Sequence, residues 1–198
     1  MAYSVILAHP RPGSLNHALA LAACAALGRL GQEVRFHDLY AEHYEPQLTA
    51  PELSRDAPLP PLVASHCREI AEARGIVIVH PNWWGMPPAI LAGWVDRVLR
   101  PGVAYEFLEG DGGEGVPRGL LQAEAALVLN TSNTARQREE RVFGDPLERI
   151  WKDCIFGLCG VSRVQRRMFE TVVTSDAATR LEWIRETEAL VRETFAIL

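Results

Sequence analysis

The chain has 198 residues, of which 48% are hydrophobic and 23% are charged, and its formal net charge is −5. This composition is typical of a globular protein and excludes a collagen-like or an intrinsically disordered chain. The length predicts one domain over residues 1–198 that buries about 70% of its unfolded surface. The mild negative charge, without a block of like charges, argues against a nucleic-acid partner.

Membrane insertion, secretion and metal binding are also disfavoured. The longest apolar stretch, residues 18–27, is about half as long as a membrane span. Residues 1–4 lack the basic segment of a signal peptide. The spacing of the four cysteines matches neither a disulfide framework nor a metal site, and no H-x-x-x-H pair or His/Asp cluster is present. We therefore expect a cytoplasmic protein with reduced thiols and no metal.

Apolar runs and helical periodicity alternate along the chain. Runs rich in Val, Ile and Leu at residues 5–8, 76–79 and 125–129 predict strands that are buried on both faces. Weaker strands are predicted at 34–37 and 164–169, and helices at 15–30, 66–74, 88–99, 146–158 and about 176–196. This alternation predicts an α/β fold, a doubly wound five-stranded parallel sheet with helices on both faces.

Two connections are longer than the fold requires. Residues 40–62 are rich in proline and residues 100–119 are rich in glycine. Loops of this length are usually functional or mobile. Within the second, residues 110–115 match G-x-G-x-x-G, but they follow no apolar strand and precede no helix. We therefore expect a flexible loop there and not a dinucleotide-binding turn.

The three strongest strands lead into loops at residues 9–16, 81–86 and 130–134, which should meet at one edge of the sheet. The first loop ends at a helix N-terminus, which favours an anion. Ser14 and Asn16 add donors there and Arg11 adds charge, although Ser14 could serve only as a helix cap.

The second loop places Trp83 and Trp84 side by side before Gly85. Aromatic side chains at a strand end suit a flat conjugated ligand; the alternative is that both indoles belong to the core. The third loop has four small polar residues, Thr131 to Thr134, without a charge. It offers hydrogen bonds to the edge of a ring, or it is a plain polar turn.

Several motifs occur beside these elements. They are His9-Pro-x-x-x-Ser-Leu-Asn16, Asp38-Leu-Tyr40, Pro81-Asn-Trp-Trp-Gly85, Pro88-Ala-Ile-Leu-Ala-Gly-Trp94, Gly102-Val-Ala-Tyr-Glu-Phe107 and Phe156-Gly-Leu-Cys-Gly160. With these motifs, which span nearly the whole chain, the protein resembles the flavodoxin-like NAD(P)H:quinone oxidoreductase family. The resemblance implies a flavin at the three loops, FMN with FAD as a close alternative, and NAD(P)H as the electron donor. FMN is preferred because no long C-terminal extension is present.

The cofactor-binding residues that the resemblance and the loops imply are His9, Ser14, Leu15, Asn16, Pro81, Asn82, Trp83, Trp84, Gly85, Thr131, Ser132, Asn133 and Thr134. The resemblance also implies a homodimer in which the partner subunit completes each active site. Tyr105 and Phe107 match the aromatic positions that reach into the partner's pocket, and together with Trp84 they are the predicted acceptor-binding residues. Alternatively, Tyr105 and Phe107 only pack under the glycine-rich loop.

The chain departs from the family at two places. The family's third loop is usually Thr-Thr-Gly-Gly, whereas here it is Thr131-Ser-Asn-Thr134. A Tyr and a His that assist hydride transfer in mammalian members correspond to Gln137 and Phe143. The auxiliary proton relay of those members is therefore not expected here, although the flavin itself carries the hydride chemistry.

The leading functional hypothesis is a ping-pong flavoenzyme. Hydride passes from NAD(P)H to flavin N5, and a quinone-like acceptor then takes the donor's place. Azo and nitro compounds fit the same slot. Two alternatives are a flavin-binding accessory subunit, for instance of a transporter, and a flavodoxin-type electron carrier. The mild net charge disfavours the carrier, because carriers tend to be strongly acidic.

Overall fold

Five parallel strands form the central sheet, and each of the predicted strands is one of them. The computed structural model describes residues 2–108, 110 and 115–196. The strands of the sheet are β1 (Ala2–Leu7), β2 (Glu33–Asp38), β3 (Gly75–Pro81), β6 (Ala125–Ser132) and β7 (Arg163–Glu170). Their order is β2-β1-β3-β6-β7. A separate antiparallel pair joins β4 (Tyr105–Glu106) to β5 (Arg118–Gly119).

Helices connect the strands. The α-helices of the described residues are α1 (Leu15–Arg29), α2 (Pro61–Glu72), α3 (Ala89–Val98), α4 (Arg136–Arg138), α5 (Pro146–Arg149) and α6 (Ala177–Phe195). Short 3₁₀ turns lie at Ala50–Leu53 and Val172–Thr174, and π-helical segments at Glu139–Phe143 and Ile150–Gly157. Within these ranges, no helix has the length and apolar character needed to cross a membrane.

The side chains of the sheet alternate between two hydrophobic cores, one on each face. Ile76 and Ile78 pack in the core that includes α2 and α3, whereas Val77 and Val79 pack in the core that includes α1 and α6. Because both faces are covered, the central strands are apolar at nearly every position. The doubly wound fold with helices on both faces is confirmed.

Some boundaries differ from the prediction. Helix α2 begins at Pro61 and not at residue 66, because proline at the first helical position has no amide that needs a partner. The predicted helix 146–158 is one α-helical turn followed by the π-helical Ile150–Gly157. The wider hydrogen-bond spacing of a π-helix is not visible in a 3.6-residue periodicity. The predicted loop at 110–115 lies, apart from Gly110 and Gly115, outside the described residues.

The proline-rich connection 40–62 is tied to α3 by buried polar contacts. The Arg97 guanidinium donates to both carboxylate oxygens of Glu52, at 2.8 and 2.7 Å, and both side chains are buried. Arg100 donates to the carbonyl oxygens of Glu52 and Ser54. Breaking a buried ion pair of this kind costs about 3–5 kcal/mol. This connection is therefore an integral part of the fold.

A substitution at Gly93 tests how the proline-rich connection 40–62 packs on α3. A Cβ atom at Gly93 would lie 2.1 Å from the carbonyl oxygen of Pro46, so Gly93→Ala should lower the free energy of unfolding by about 3 kcal/mol or more. Gly28→Ala is the matched control, because Gly28 lies in α1 and a Cβ there meets nothing within 4 Å. It should raise stability by about 0.5–1 kcal/mol. Urea denaturation measures the free energy of unfolding of both variants. Equal values for Gly93→Ala and Gly28→Ala would contradict the close packing of Pro46 on α3.

Candidate functional site

The three loops that follow β1, β3 and β6 meet in a cleft of about 920 Å³ at the carboxyl edge of the sheet. The strand order reverses between β1 and β3, which is where ligands bind in doubly wound folds. All thirteen residues predicted to bind the cofactor line this cleft. Further lining residues are Arg11, Gly13, Ala18, Glu139, Phe143, Pro146, Val172, Arg180 and Ile184.

Ser14 caps α1 as predicted. Its Oγ accepts the backbone N–H of His17 at 3.4 Å and lies 2.9 Å from His17 Nδ1, while His17 Nε2 lies 3.0 Å from Asp38. The hydroxyl is thus largely engaged within the protein. The N–H groups of a helix's first turn have no intrahelical acceptors, and groups of this kind can bind an anion.

His9 lies beside this helix. Its Nδ1 lies 3.1 Å from the backbone nitrogen and 3.3 Å from the carbonyl oxygen of Arg11. Burial lowers the pKa of His9, which disfavours the imidazolium form. A neutral imidazole has one N–H donor and one acceptor nitrogen, so His9 brings a polar ring to the cleft.

Asn16 joins the first loop to the third. Its side-chain amide donates to Thr131 Oγ1 at 2.9 Å, and both residues are buried. The two positions are 115 residues apart in the sequence. This contact fixes the spacing between the start of α1 and the end of β6, and it is one reason why the cleft has a defined width.

The second loop is a tight hairpin turn with an exposed indole at its tip. Trp83 and Met86 exchange backbone hydrogen bonds at 3.2 and 3.0 Å, and both residues between them have positive φ, 59° at Trp84 and 74° at Gly85. This is the pattern of a type I′ turn. Trp84 is 95% exposed, so the alternative that both indoles are core residues is wrong. A bulky residue in this backbone region is strained, and such strain is typical of functional sites.

Asn82 and Glu139 hold this turn in place. The Asn82 amide donates to Glu139 Oε1 at 3.0 Å, and Asn82 Oδ1 accepts the backbone N–H of Gly85 at 3.0 Å. Glu139 is 2% exposed. No sequence signal singles out Glu139, because it lies in a mostly charged run, 136–141, that resembles a solvated helix face. Only its distant contact with Asn82 distinguishes it from its neighbours.

The two positions that correspond to the family's proton relay are separated by the structure. Phe143 lines the cleft and is half exposed, with the Arg138 guanidinium 5.6 Å from its ring centroid. Gln137 is exposed and is not among the lining residues. Neither side chain offers a titratable group to the cleft.

Tyr105 and Phe107 lie outside this cleft within one chain. Their rings pack edge to face with centroids 5.9 Å apart. They line a second cavity of about 340 Å³ between α3 and the π-helical segment, together with Val95, Leu99, Gly115, Pro117, Cys154, Ile155, Leu158 and Cys159. A single subunit therefore does not bring them together with Trp84.

The structure also brings His37, Glu42 and His66 within a distance that could suit a metal ion, a cluster that the sequence analysis missed. Both nitrogens of His37 face carboxylates, those of Glu42 and Glu69, at 2.8 and 2.9 Å. His66 Nδ1 accepts the Trp94 indole N–H at 2.9 Å. Although burial opposes it, the hydrogen bonds from His37 and His66 lower the pKa of Glu42 to about 2. The two histidines and the carboxylates of Glu42 and Glu69 thus form an internal network of ion pairs.

His80 supports the second loop from below. It is fully buried, its Nδ1 lies 2.8 Å from the Pro81 carbonyl oxygen, and its Nε2 lies 2.8 Å from both the Trp151 indole nitrogen and the Asn130 amide nitrogen. Burial lowers the pKa of His80 to about 4, and the Arg166 cation contributes in the same direction. A neutral ring donates from Nδ1 to the Pro81 carbonyl oxygen and has one lone pair at Nε2, which the Trp151 and Asn130 N–H donors share.

The depressed pKa of His80 predicts a pH dependence of stability. Between pH 6.5 and about 4 the unfolded chain binds a proton that the folded protein does not, so the free energy of unfolding should fall as the pH falls, by about 3 kcal/mol in total. Denaturation at pH 7 and pH 5 measures the part of this loss, about 2 kcal/mol, that falls between those two pH values. His80→Gln should lose less free energy of unfolding over this pH range than the wild type. Equal losses in the two proteins would contradict the assignment of this pH dependence to His80.

Comparisons with known proteins agree with this architecture. The profile of the flavodoxin-like fold family matches residues 1–190. The chain is 31% identical to mouse ribosyldihydronicotinamide dehydrogenase (quinone) over 168 residues, 74% of this chain and 71% of that protein. It is also 31% identical to a Haemophilus influenzae protein named uncharacterized NAD(P)H oxidoreductase, over 91% of this chain and 89% of that protein.

Among solved structures, the NAD(P)H:quinone oxidoreductase from Methanothermobacter marburgensis has the same fold. It aligns with a TM-score of 0.84 and 24% sequence identity over 97% of this chain and 96% of that chain. The chain therefore belongs to the flavodoxin-like fold family, among its NAD(P)H dehydrogenase (quinone)-like oxidoreductases.

Proposed function

We propose that this protein binds a flavin in the strand-end cleft and transfers reducing equivalents from NAD(P)H to a quinone-like acceptor. The observation that carries the proposal is the combination of three features on one rim. A helix N-terminus offers amides to a phosphate, an exposed indole offers a stacking surface, and small polar residues offer hydrogen bonds to a ring edge.

The residues that line the cleft fit a flavin. The α1 amides and the neutral N–H of His9 would hold a phosphate, and the segment from Pro81 to Gly85 would contact the ring system. When bound, a flavin supplies the hydride chemistry, with hydride received at N5 from NAD(P)H and then passed to an acceptor in the same place, a ping-pong order. The protein orients the reactants and excludes water.

The shape of the cleft bears on the choice between FMN and FAD. Beyond the start of α1, the cleft continues between α1 and α6, where Val172, Arg180 and Ile184 line it. Arg180 is held there by Ser175 Oγ at 2.9 Å. An apolar recess with a guanidinium would suit the adenylate half of FAD. This favours FAD, whereas the sequence alone favours FMN.

We further propose a two-fold symmetric homodimer. Large apolar side chains are exposed around the second cavity, among them Phe107, Leu108 and Leu158, and Trp84 is almost fully exposed. A second copy that covers these residues would bring its Tyr105 and Phe107 towards Trp84. The slot for a planar acceptor would then lie between the two subunits, as the resemblance implies.

The phosphate assignment can be tested by replacing Ser14 and Asn16 together with Ala. Flavin affinity should fall about tenfold or more, because the helix loses its cap and the loop loses its link to Thr131. Fluorescence titration of the stripped protein with FMN and with FAD measures the dissociation constants. Ser65→Ala is the matched control, since it removes a serine hydrogen bond, from Ser65 to Glu69 at 2.7 Å, in α2 and away from the cleft. Equal flavin affinity in the double variant and the wild type would refute the assignment.

The acceptor slot can be tested with Trp84→Gly and Phe107→Ala. Each should raise the quinone KM, because binding shared by ground and transition states is lost. Phe107→Ala should do so at unchanged flavin content, whereas Trp84→Gly is assayed at saturating flavin because Trp84 also belongs to the proposed flavin site. Trp84→Gly should leave stability unchanged or raise it by about 1 kcal/mol, since glycine relieves the positive φ. Leu181→Ala, at an exposed position outside both cavities, is the control. Light scattering gives the oligomeric state, and a fully active monomer would refute the shared slot.

A further inference from the structure

The cleft contains a buried carboxylate that the proposed chemistry does not use. Glu139 is the one acidic residue among the described residues that line the cleft. Its Oε1 accepts the Asn82 amide, and no ion pair joins it to an Arg, Lys or His in the part of the chain that the structure describes. A buried carboxylate without a cationic partner is costly to retain, because desolvation is not offset by an opposite charge.

The cleft is lined by side chains of both charges. The first loop and α6 contribute the cations Arg11 and Arg180, and α1 contributes a helix N-terminus. Glu139 lies beside the Trp83–Gly85 turn, since it accepts the Asn82 amide, and that turn packs on Pro146 at the start of α5. The proposed acceptor-binding indole, Trp84, belongs to that same turn.

We propose that Glu139 selects acceptors by charge, so that uncharged quinones enter the slot and acceptors with a sulfonate or carboxylate group near the ring are rejected. This inference rests on the proposed function, since it concerns the acceptor of that reaction. A like charge placed beside a buried carboxylate is repelled more strongly than in water, because the surroundings screen the interaction less.

The arginines next to Glu139 in the sequence do not cancel its charge in the cleft. Arg136, Arg138 and Arg141 are all exposed, so solvent screens them. Arg136 lies 3.7 Å from Glu140 and 3.6 Å from Glu170, and Arg138 stacks on Phe143. Glu139 alone in this segment is buried.

Glu139→Gln separates the charge from the structural contact. A glutamine keeps an oxygen that accepts the Asn82 amide, so the turn keeps its support, while the negative charge is removed. Glu140→Gln is the matched control, because Glu140 is the next residue and is exposed. Glu139→Asp keeps the charge, and Glu139→Met is a second neutral variant for the case in which the glutamine variant does not fold.

The experiment compares 1,2-naphthoquinone with its 4-sulfonate, which differs only by the anionic group. The readout is the ratio of kcat/KM for the uncharged over the sulfonated quinone, measured on flavin-loaded enzyme at low ionic strength. In Glu139→Gln and Glu139→Met this ratio should fall about tenfold, as expected when a close like-charge repulsion is lost. In Glu140→Gln and Glu139→Asp it should stay at the wild-type value.

A binding measurement keeps the inference separate from the proposed function. Quenching of tryptophan fluorescence by unreactive naphthalene-2-sulfonate gives a dissociation constant without turnover. Tighter binding to Glu139→Gln than to the wild type, with no change in Glu140→Gln, supports the charge role even if no quinone is reduced. If the neutral Glu139 variants keep the wild-type ratio of kcat/KM for the two quinones and the wild-type dissociation constant for naphthalene-2-sulfonate, the charge selection is overturned. Glu139 would then serve only to support Asn82.

Discussion

The register of the three central strands is the constraint on which the site depends. Val79 of β3 pairs with Leu7 of β1 and with Leu129 of β6, so the three strands leave the sheet at nearly the same level. Parallel strands with this register must send their following loops to one edge. The start of α1, the tryptophan turn and the polar third loop are therefore neighbours because of backbone pairing. Their side chains only refine a geometry that the sheet has already set.

Buried polar groups then make this edge rigid. His80, Asn130 and Trp151 satisfy one another's hydrogen bonds below the second loop, and Asn16 and Thr131 link the first loop to the third. Buried polar groups are stable only when they are paired, and a satisfied network allows few alternative arrangements. The loops of the cleft are thus held by side chains that need not touch a ligand.

The site contains features that the rest of the fold must stabilise. Trp84 has a backbone conformation that favours glycine, and Glu139 is buried with no ion pair to a cation in the described part of the chain. Each feature costs free energy, and the two hydrophobic cores on either side of the sheet offset that cost. The same two residues give the cleft an exposed indole and a negative charge, in addition to the cations Arg11 and Arg180.

The sequence by itself determined the sheet, its two covered faces and the three loops at its edge. Those features depend on local patterns, since a buried strand or a helix start is encoded in a few consecutive residues. Tertiary structure alone decided that Glu139 lies beside Asn82, that Tyr105 and Phe107 line a separate cavity, and that His37 meets Glu42 and Glu69. These contacts join side chains from different elements, and no periodicity within one segment encodes a distance to another. Burial and pairing of charged groups therefore required the packed structure.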